Sequence, residues 1–293
     1  MKRIAPALAI LALVLASCAP KPANTNGIWL WSRYMEEVDL DELAQKNIGN
    51  IILHEKAFET YGEEKTMEFV KAAGDRGLLV HIWFQCFYND GKWINPVDDE
   101  NNRYKQEYFD EVIGRAVHYA ELGVKAIHLD YIRFGGTAWK HNPSDSVTAV
   151  GCVTEFCRQM NAAVKSVEPD ILLSAALMPE PESEYYYAQD PALMGQYLDV
   201  LMPMIYRHSP AYSKGGEGWA DDVAKYFVEK GAPAQVWAGT TTYTGDDGEV
   251  VPMDGEGILR DCRDFSDTGV RGIVLFRYGI GELPDMSEIN YQK

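Results

Sequence analysis

Residues 122–134 have the sequence LGVKAIHLDYIRF, and they follow a stretch in which apolar residues recur every three or four positions. That spacing predicts an amphipathic helix before Gly123. The residues that share its apolar face are Phe109, Val112, Ile113, Ala116, Val117 and Ala120. Gly123 is typical of a helix end, and the apolar run 126–131 predicts a short buried strand. The unit is therefore a helix, a glycine, a strand and a polar loop.

The same unit recurs along the chain. We predict eight strands, at Gly27–Trp31, Asn50–Leu53, Leu78–Phe84, Ala126–Tyr131, Ile171–Ala176, Val200–Ile205, Gln235–Gly239 and Gly272–Phe276. Eight alternations of strand and helix favour a single (β/α)8 TIM barrel, a fold of about 250 residues. An open doubly wound sheet is the alternative. That fold does not require eight strand–helix units, and no GxGxxG motif follows the first strand. Because only a short tail follows Phe276, we expect the last helix to be short or missing.

The first residues are typical of an export signal. Lys2 and Arg3 precede the apolar run 4–16, which is too short for a stable membrane span. It ends in Leu-Ala-Ser-Cys at residues 15–18, which resembles a bacterial lipobox. We predict a lipoprotein signal peptide over residues 1–18, with Cys18 lipidated. An ordinary signal peptide cleaved near residue 16 or 19 is the alternative.

Residues 19–26 are rich in proline and polar side chains, which predicts a short tether. The barrel catalytic domain would then occupy residues 27–293. These boundaries predict a protein of the cell envelope, held at the outer membrane if the cell is Gram-negative, or an extracellular protein.

The composition limits the partners. The 293 residues carry a formal net charge of −17, which repels the phosphates of nucleic acids and of anionic lipids. We therefore expect no nucleic-acid ligand, and membrane contact through the lipid anchor only. The four cysteines other than Cys18 form no CxxC motif, so buried free thiols are expected, with one long-range disulfide possible.

Strand periodicity predicts which side chains enter the barrel. Ile127 and Leu129 should face the helices, so that Ala126, His128 and Asp130 point inward. The same alternation turns inward Trp29, Trp31, His54, His81, Trp83, Gln85, Met202, Met204, Tyr206, Gln235 and Trp237. An upper interior rich in aromatic and polar groups suits sugars, which stack on rings and need hydrogen-bond partners.

Asp130 is the first catalytic candidate, because TIM-barrel enzymes place their catalytic groups at the C-terminal ends of the strands. A structural ion pair with Arg133 is the alternative. Glycoside cleavage usually needs a second carboxyl group, and Glu55, Glu180 and Glu182 follow other strands. We select Glu180, although solvated loop charges would explain these glutamates equally well.

Ten further side chains are candidates for binding the substrate: Trp29, Trp31, His54, Trp83, Gln85, His128, Arg133, Tyr206, Trp237 and Arg277. Aromatic rings at these positions could stack on sugars, and the polar groups could bind hydroxyls or a carboxylate. The alternatives are core packing for the aromatic residues and ion pairs for the arginines. This scheme requires no metal and no cofactor.

Two motifs resemble those of the glycosidase-like barrels of bacteria. They are Leu129-Asp130-Tyr131-Ile132-Arg133-Phe134 on strand 4 and Met202-Pro203-Met204-Ile205-Tyr206 on strand 6. Glycosyl hydrolases related to the carbohydrate-processing domain of exopolysaccharide export proteins show both motifs. The resemblance implies a TIM-barrel hydrolase that acts on a carbohydrate polymer or oligosaccharide, with Asp130 matching the family's strand-4 acid.

Family 18 chitinases are more distant in pattern. Ile132 stands where their strand-4 glutamate would be, and Arg207 stands where their strand-6 aspartate would be. This departure leaves open a non-catalytic, glycan-binding lipoprotein on the same fold. A metal-dependent hydrolase is a further alternative, with His54, His81, His128 and Asp130 as ligands. However, strand 1 lacks a His-x-His motif, and strand 8 does not end in an aspartate.

Overall fold

The computed structural model describes residues 24–212, 216, 218–245, 249–289 and 291. Eight parallel strands form a closed barrel, which confirms the predicted fold. The strands are β1 (Gly27–Leu30), β2 (Asn50–His54), β3 (Leu79–Gln85), β4 (Ala126–Asp130), β5 (Leu172–Leu177), β6 (Val200–Pro203), β7 (Gln235–Thr241) and β8 (Gly272–Phe276). Each strand pairs with its neighbours in sequence, and β1 pairs with β8 to close the barrel. Cys18 and tether residues 19–23 lie outside the described residues.

Helices occupy the segments between the strands. They are α1 (Leu40–Gln45), α2 (Lys56–Tyr61), α3 (Glu63–Gly74), α4 (Gln106–Glu121), α5 (Ala149–Val167), α6 (Ser183–Tyr187), α7 (Pro191–Met194), α8 (Trp219–Lys230) and α9 (Gly255–Arg263). Short 3-10 helices span Ser32–Tyr34, Ala138–Lys140 and Met286–Glu288. In the described part of the tail, only the last of these follows β8, in line with the expected loss of a full eighth helix.

Within the described segments, three small antiparallel hairpins extend the loops at the C-terminal ends of the strands. Two follow β3, pairing Tyr88–Asn89 with Lys92–Trp93 and Val97–Asp98 with Arg103–Tyr104. The third follows β7 and pairs Tyr243–Thr244 with Val251–Pro252. These loops raise a rim around one mouth of the barrel.

The strands contribute side chains to two separate cores. Side chains such as Ile127 and Leu129 pack outward against the helices. The alternate side chains form a cluster inside the barrel, made of Trp29, Ile52, Trp83, Val200, Met202, Trp237 and Val274. Three of these seven are tryptophans, so bulky rings fill the interior where aliphatic side chains are more usual.

Buried polar groups lie among these rings and pair with one another. His81 Nε2 lies 3.1 Å from Asn50 Oδ1, and His128 Nδ1 lies 3.0 Å from Ser174 Oγ. The first described residues are joined to β2, since Asn50 Nδ2 donates to the carbonyl oxygens of Asn24 and Asn26.

Cys86, Cys152, Cys157 and Cys262 are buried free thiols. Across the described segments, no helix combines the length and apolar character needed to cross a bilayer.

Gly272, the first residue of β8, allows a prediction about the stability of the fold. A Cβ added at Gly272 would lie 2.1 Å from the Thr25 carbonyl oxygen and 2.9 Å from the Trp237 ring. We expect Gly272→Ala to lower the free energy of unfolding by about 1–3 kcal/mol, because a packed interior must shift to hold the methyl group.

Gly114 provides the matched control. It lies inside α4, and an added Cβ would meet nothing within 4 Å. We expect Gly114→Ala to raise the free energy of unfolding by about 0.5–1 kcal/mol, because alanine restricts the unfolded chain. Urea denaturation followed by circular dichroism measures both changes. Equal midpoints for the two variants would contradict the prediction.

Candidate active site

A cleft of about 250 Å³ opens at the C-terminal mouth of the barrel. Its described lining comes from the ends of β1, β3, β4, β5, β6, β7 and β8 and from the loops that follow some of them. The lining residues are Trp29, Trp31, Trp83, Asp130, Tyr131, Arg133, Ala176, Met204, Tyr206, Ser209, Thr241, Tyr243, Gly245 and Phe276. Half of these fourteen residues carry an aromatic ring, and Asp130 is the one carboxylate among them.

The Asp130 carboxylate is held by two donors. The Trp83 indole Nε1 donates to Oδ2 at 2.9 Å, and the Tyr131 backbone N–H donates to Oδ1 at 2.7 Å. The indole reaches it because Gln85 pairs with Asp130 across β3 and β4, which leaves Trp83 one inward position below. Burial raises the pKa of Asp130, while these two donors and the Arg133 charge oppose the rise. Asp130 therefore keeps its proton to a higher pH than an exposed aspartate does.

Tyr131 adopts a left-handed backbone conformation, with φ of 51°. A non-glycine residue at positive φ is uncommon and costs about 1–3 kcal/mol. The turn interrupts strand alternation directly after Asp130, and the Tyr131 ring lines the cleft instead of facing the helices. This ring stacks on Tyr88, with centroids 4.7 Å apart.

Arg133 lies above three aromatic rings. Its guanidinium carbon is 4.5 Å from the Trp93 ring centroid, 5.2 Å from that of Tyr187 and 5.4 Å from that of Tyr131. No carboxylate in the described part of the chain forms an ion pair with it, and its Nη1 donates a hydrogen bond to the Phe134 carbonyl oxygen. The structure therefore does not form the Arg133–Asp130 ion pair that the sequence left open. The guanidinium contributes positive charge near the Asp130 carboxylate instead.

Tyr206 stacks on Phe276, with ring centroids 5.4 Å apart, and its phenol group lies in the cleft near Asp130. Burial, together with the Asp130 charge, holds the pKa of Tyr206 well above its ordinary value. The phenol therefore stays protonated at neutral pH and can donate a hydrogen bond to a substrate oxygen.

The histidines predicted near the site support the cleft from behind or below. His54 stacks on Trp31 at 5.0 Å and meets Trp83 edge-on at 4.7 Å. Burial lowers the pKa of His54 to about 4 and that of His81 to about 3, and it holds the pKa of His128 well below the ordinary value. All three are neutral at pH 7. Among the described residues, no three His, Cys, Asp or Glu side chains converge as metal ligands would.

The predicted second carboxylate does not line this cleft. Glu180 Oε1 accepts a hydrogen bond of 3.0 Å from the Tyr212 hydroxyl, and its Oε2 is buried without a partner. Glu55, which the sequence also offered, forms an ion pair with Arg115 at 3.0 Å and accepts a hydrogen bond from Tyr119. Glu182 lies in a separate groove on the surface. Of the candidate carboxylates, the structure thus brings only Asp130 into the cleft.

The predicted substrate-binding residues divide into two groups. Trp29, Trp31, Trp83, Arg133 and Tyr206 line the cleft together with Asp130. His54 and Gln85 line a different cavity, beside Glu55 and Arg115. His128 and Trp237 lie deeper in the barrel, and Trp237 Nε1 donates to Gln235.

Arg277 also lies outside the lining, and its backbone exchanges hydrogen bonds with the Thr242 hydroxyl.

Several lining residues were not predicted. Thr241 and Tyr243 reach the cleft because β7 continues to Thr241, two residues beyond its predicted end. A longer β-branched run, Thr240-Thr241-Thr242, was the signal for that extension. Tyr131 was missed because its left-handed turn departs from simple alternation. Phe276 continues the inward alternation of Val274 on β8, a strand for which no inward side chain was predicted.

The sequence of the chain matches a family model described as "Putative glycosyl hydrolase domain" over residues 23–225. The chain belongs to this glycosyl hydrolase family. The match confirms the resemblance drawn from the strand-4 and strand-6 motifs, and it assigns the enzyme to the glycoside hydrolases. No curated protein sequence matches the chain.

Solved structures share the fold of this glycosyl hydrolase domain. A class V chitinase from Pseudomonas fluorescens Pf-5 has a TM-score of 0.67 at 14% identity, with 90% of this chain and 98% of that chain covered. The PgaB (BpsB) glycoside hydrolase domain from Bordetella bronchiseptica has a TM-score of 0.61 at 10% identity, with coverage of 86% and 94%. The spore cortex-lytic enzyme SleL from Bacillus megaterium QM B1551 has a TM-score of 0.60 at 13% identity, with coverage of 93% and 75%. At these identities the likeness concerns the fold.

The Trp83–Asp130 hydrogen bond generates a prediction for this glycosyl hydrolase domain. We expect Trp83→Phe to raise the pKa of Asp130 further, because the indole N–H stabilises the charged carboxylate. Carboxyl 13C NMR titration of the two proteins measures the change. Trp139→Phe, at a ring remote from Asp130, should leave that pKa unchanged. A downward or absent shift in Trp83→Phe would contradict the role of this bond.

Proposed function

We propose that the protein cleaves a polysaccharide outside the cytoplasm, with Asp130 as the essential carboxyl group. The observation that carries the proposal is a half-buried carboxyl group at the end of β4, which accepts a hydrogen bond from the Trp83 indole in a cleft lined by aromatic rings. Indole and phenol rings offer flat apolar faces for sugar rings, while Tyr206, Ser209 and Thr241 offer hydroxyl partners.

A raised pKa suits Asp130 to protonate the glycosidic oxygen. The proton passes from the carboxyl group to that oxygen as the bond from the sugar's anomeric carbon breaks. Asp130 is then a carboxylate, which the Trp83 and Tyr131 N–H groups stabilise. Water finally adds to the anomeric carbon and gives one proton to Asp130, which restores the acid. The neutral Tyr206 phenol would donate a hydrogen bond to the reacting sugar.

Most glycosidases use two protein carboxyl groups, whereas substrate-assisted enzymes take the nucleophile from the sugar itself. Among the described residues of the cleft, Asp130 is the one carboxylate. This observation favours a substrate that carries its own nucleophile. It also keeps a non-catalytic glycan-binding protein as the second candidate function, because binding needs no second acid.

Activity can be tested with the purified full-length protein. A panel of soluble bacterial and plant polysaccharides is incubated with the protein, and the release of reducing ends is measured. We expect Asp130→Asn to lower kcat by about 10²–10⁴-fold, the usual contribution of a general acid. Asp170→Asn is the matched control, since Asp170 is exposed just before β5, at the opposite end of the barrel. Glu180→Gln should keep kcat within about threefold of wild type, because a carboxyl group outside the cleft cannot exchange protons with the substrate.

The outcomes separate the two candidate functions. If wild type and Asp130→Asn release the same products, Asp130 is not catalytic. If wild type binds a polysaccharide without cleaving any member of the panel, the glycan-binding alternative holds. A loss of activity in Glu180→Gln equal to that in Asp130→Asn would restore Glu180 as a catalytic partner.

The proposed location rests on residues 1–18, and it is testable separately. In a bacterial host, we expect Cys18→Ser to abolish incorporation of radiolabelled palmitate, because the thiol is the atom that would carry the lipid. The protein should then move from the membrane fraction to the soluble fraction. Labelling that persists in Cys18→Ser, or is absent from wild type, would contradict the lipoprotein signal.

A further inference from the structure

A row of aromatic side chains leads from the cleft to the protein surface. Arg133 contacts the Tyr187 ring, and the Tyr187 and Tyr186 ring centroids lie 6.2 Å apart. Tyr185 follows at 4.9 Å from Tyr186, and Trp139 lies 6.3 Å from Tyr185. We refer to Trp139, Tyr185 and Tyr186 as the aromatic platform. Its members belong to the loops after β4 and β5, beside the mouth of the barrel.

The platform is exposed although its rings are large and apolar. The exposed fractions are 48% for Trp139, 54% for Tyr185 and 47% for Tyr186. The Trp139 and Tyr185 planes are parallel to within 6°. Clustered exposed aromatic residues are unfavourable in water, and such clusters commonly mark a binding surface.

The rings are held by a fixed backbone. Asn142 Nδ2 donates to the carbonyl oxygens of Ala138 and Trp139, and its Oδ1 accepts a hydrogen bond from the Ala149 N–H. On the other loop, the buried Ser183 hydroxyl donates to the Gln189 carbonyl oxygen, and the Tyr226 hydroxyl donates to that of Pro181. Both ring-bearing segments are therefore anchored before any ligand arrives, which lowers the entropic cost of binding.

The chemistry beside the rings suits a sugar chain. An open groove of about 570 Å³ runs between Trp139 and Tyr185, and Asn142, Glu182 and Glu184 provide polar groups along it. Carboxylates accept hydrogen bonds from sugar hydroxyls, and they repel polyanions, as does the net charge of −17. The groove therefore favours a neutral polymer over a uronate-rich one.

We propose that the aromatic platform is a second glycan-binding site, which holds a neutral polysaccharide chain whose other end occupies the Asp130 cleft. The polar groups along the groove and its place beside the mouth of the barrel select this occupant over a partner protein. The inference rests on the proposed function in that one glycan is taken to fill both places. Short oligosaccharides would fill the cleft alone, so the platform would act only on long chains.

Binding is measured in the Asp130→Asn background, where hydrolysis does not interfere. The probes are glycol chitin, hydroxyethylcellulose and xylan in native affinity gels, with the trisaccharides of the same sugars in calorimetry. We expect Trp139→Ala and Tyr185→Ala each to weaken binding of at least one polymer by about threefold to tenfold, the usual effect of losing an aromatic contact. Trisaccharide affinity should not change. Trp139→Phe should recover most of the loss, and Val167→Ala, an exposed apolar site on α5, should lose nothing.

Three results would overturn the proposal. The first is polymer affinity that is unchanged in the Trp139→Ala, Tyr185→Ala double variant, or absent for all three polymers. The second is an equal loss for trisaccharides and polymers. The third is a difference in oligomeric state between the Asp130→Asn protein and the double variant, measured by light scattering. That result would assign the platform to self-association.

Failure of the proposed function gives a different result. Platform-dependent binding by a wild-type protein that cleaves nothing would remove the hydrolase but keep the platform. Cleavage of polymers that is indifferent to loss of the rings would keep the hydrolase and remove the platform.

Discussion

Closure of the sheet is the constraint on which the rest of this structure depends. Because β1 pairs with β8, the eight strands enclose one interior, and every second side chain of each strand must share it. Three buried tryptophans take up much of that space, and the polar side chains among them are left to pair with one another. Among the described residues, a cleft for a ligand opens at the upper end of this interior.

Closure of the barrel sets both the position and the pKa of the Asp130 carboxyl group. Its position at the end of β4 aims the carboxyl group into the mouth, and the β3–β4 register brings the Trp83 indole to it. Burial and hydrogen bonding act in opposite directions on its pKa, and burial prevails. Asp130 can therefore hold its proton to a higher pH, and its carboxylate form is stabilised by hydrogen bonds once the proton has left. The Arg133 charge contributes to the second property without forming an ion pair.

The loops that follow β3, β4 and β5 extend this arrangement beyond the barrel. They place Trp93, Tyr131 and Tyr187 around Arg133, and they carry Tyr186, Tyr185 and Trp139 outward from it. Several aromatic rings offer several similar stacking sites, which suit a polymer built of similar sugar units. The acidic surface disfavours polyanions at the same face. We propose that the cleft and the platform bind one neutral glycan, although separate loops build them.

The sequence by itself determined the barrel, the direction of its strands and the inward position of Asp130, Trp83 and Trp29. These follow from local periodicity, because alternation along a strand needs no knowledge of distant residues. It also contained the two motifs on which family membership was first inferred. The backbone beyond the strand ends is not periodic, so the tertiary structure decides its course. It decides the left-handed turn at Tyr131, the extension of β7 to Thr241 and the hydrogen bond that holds Glu180 at Tyr212. The reason is that a loop side chain takes its direction from whichever neighbouring loop it meets, and those neighbours are far apart in sequence.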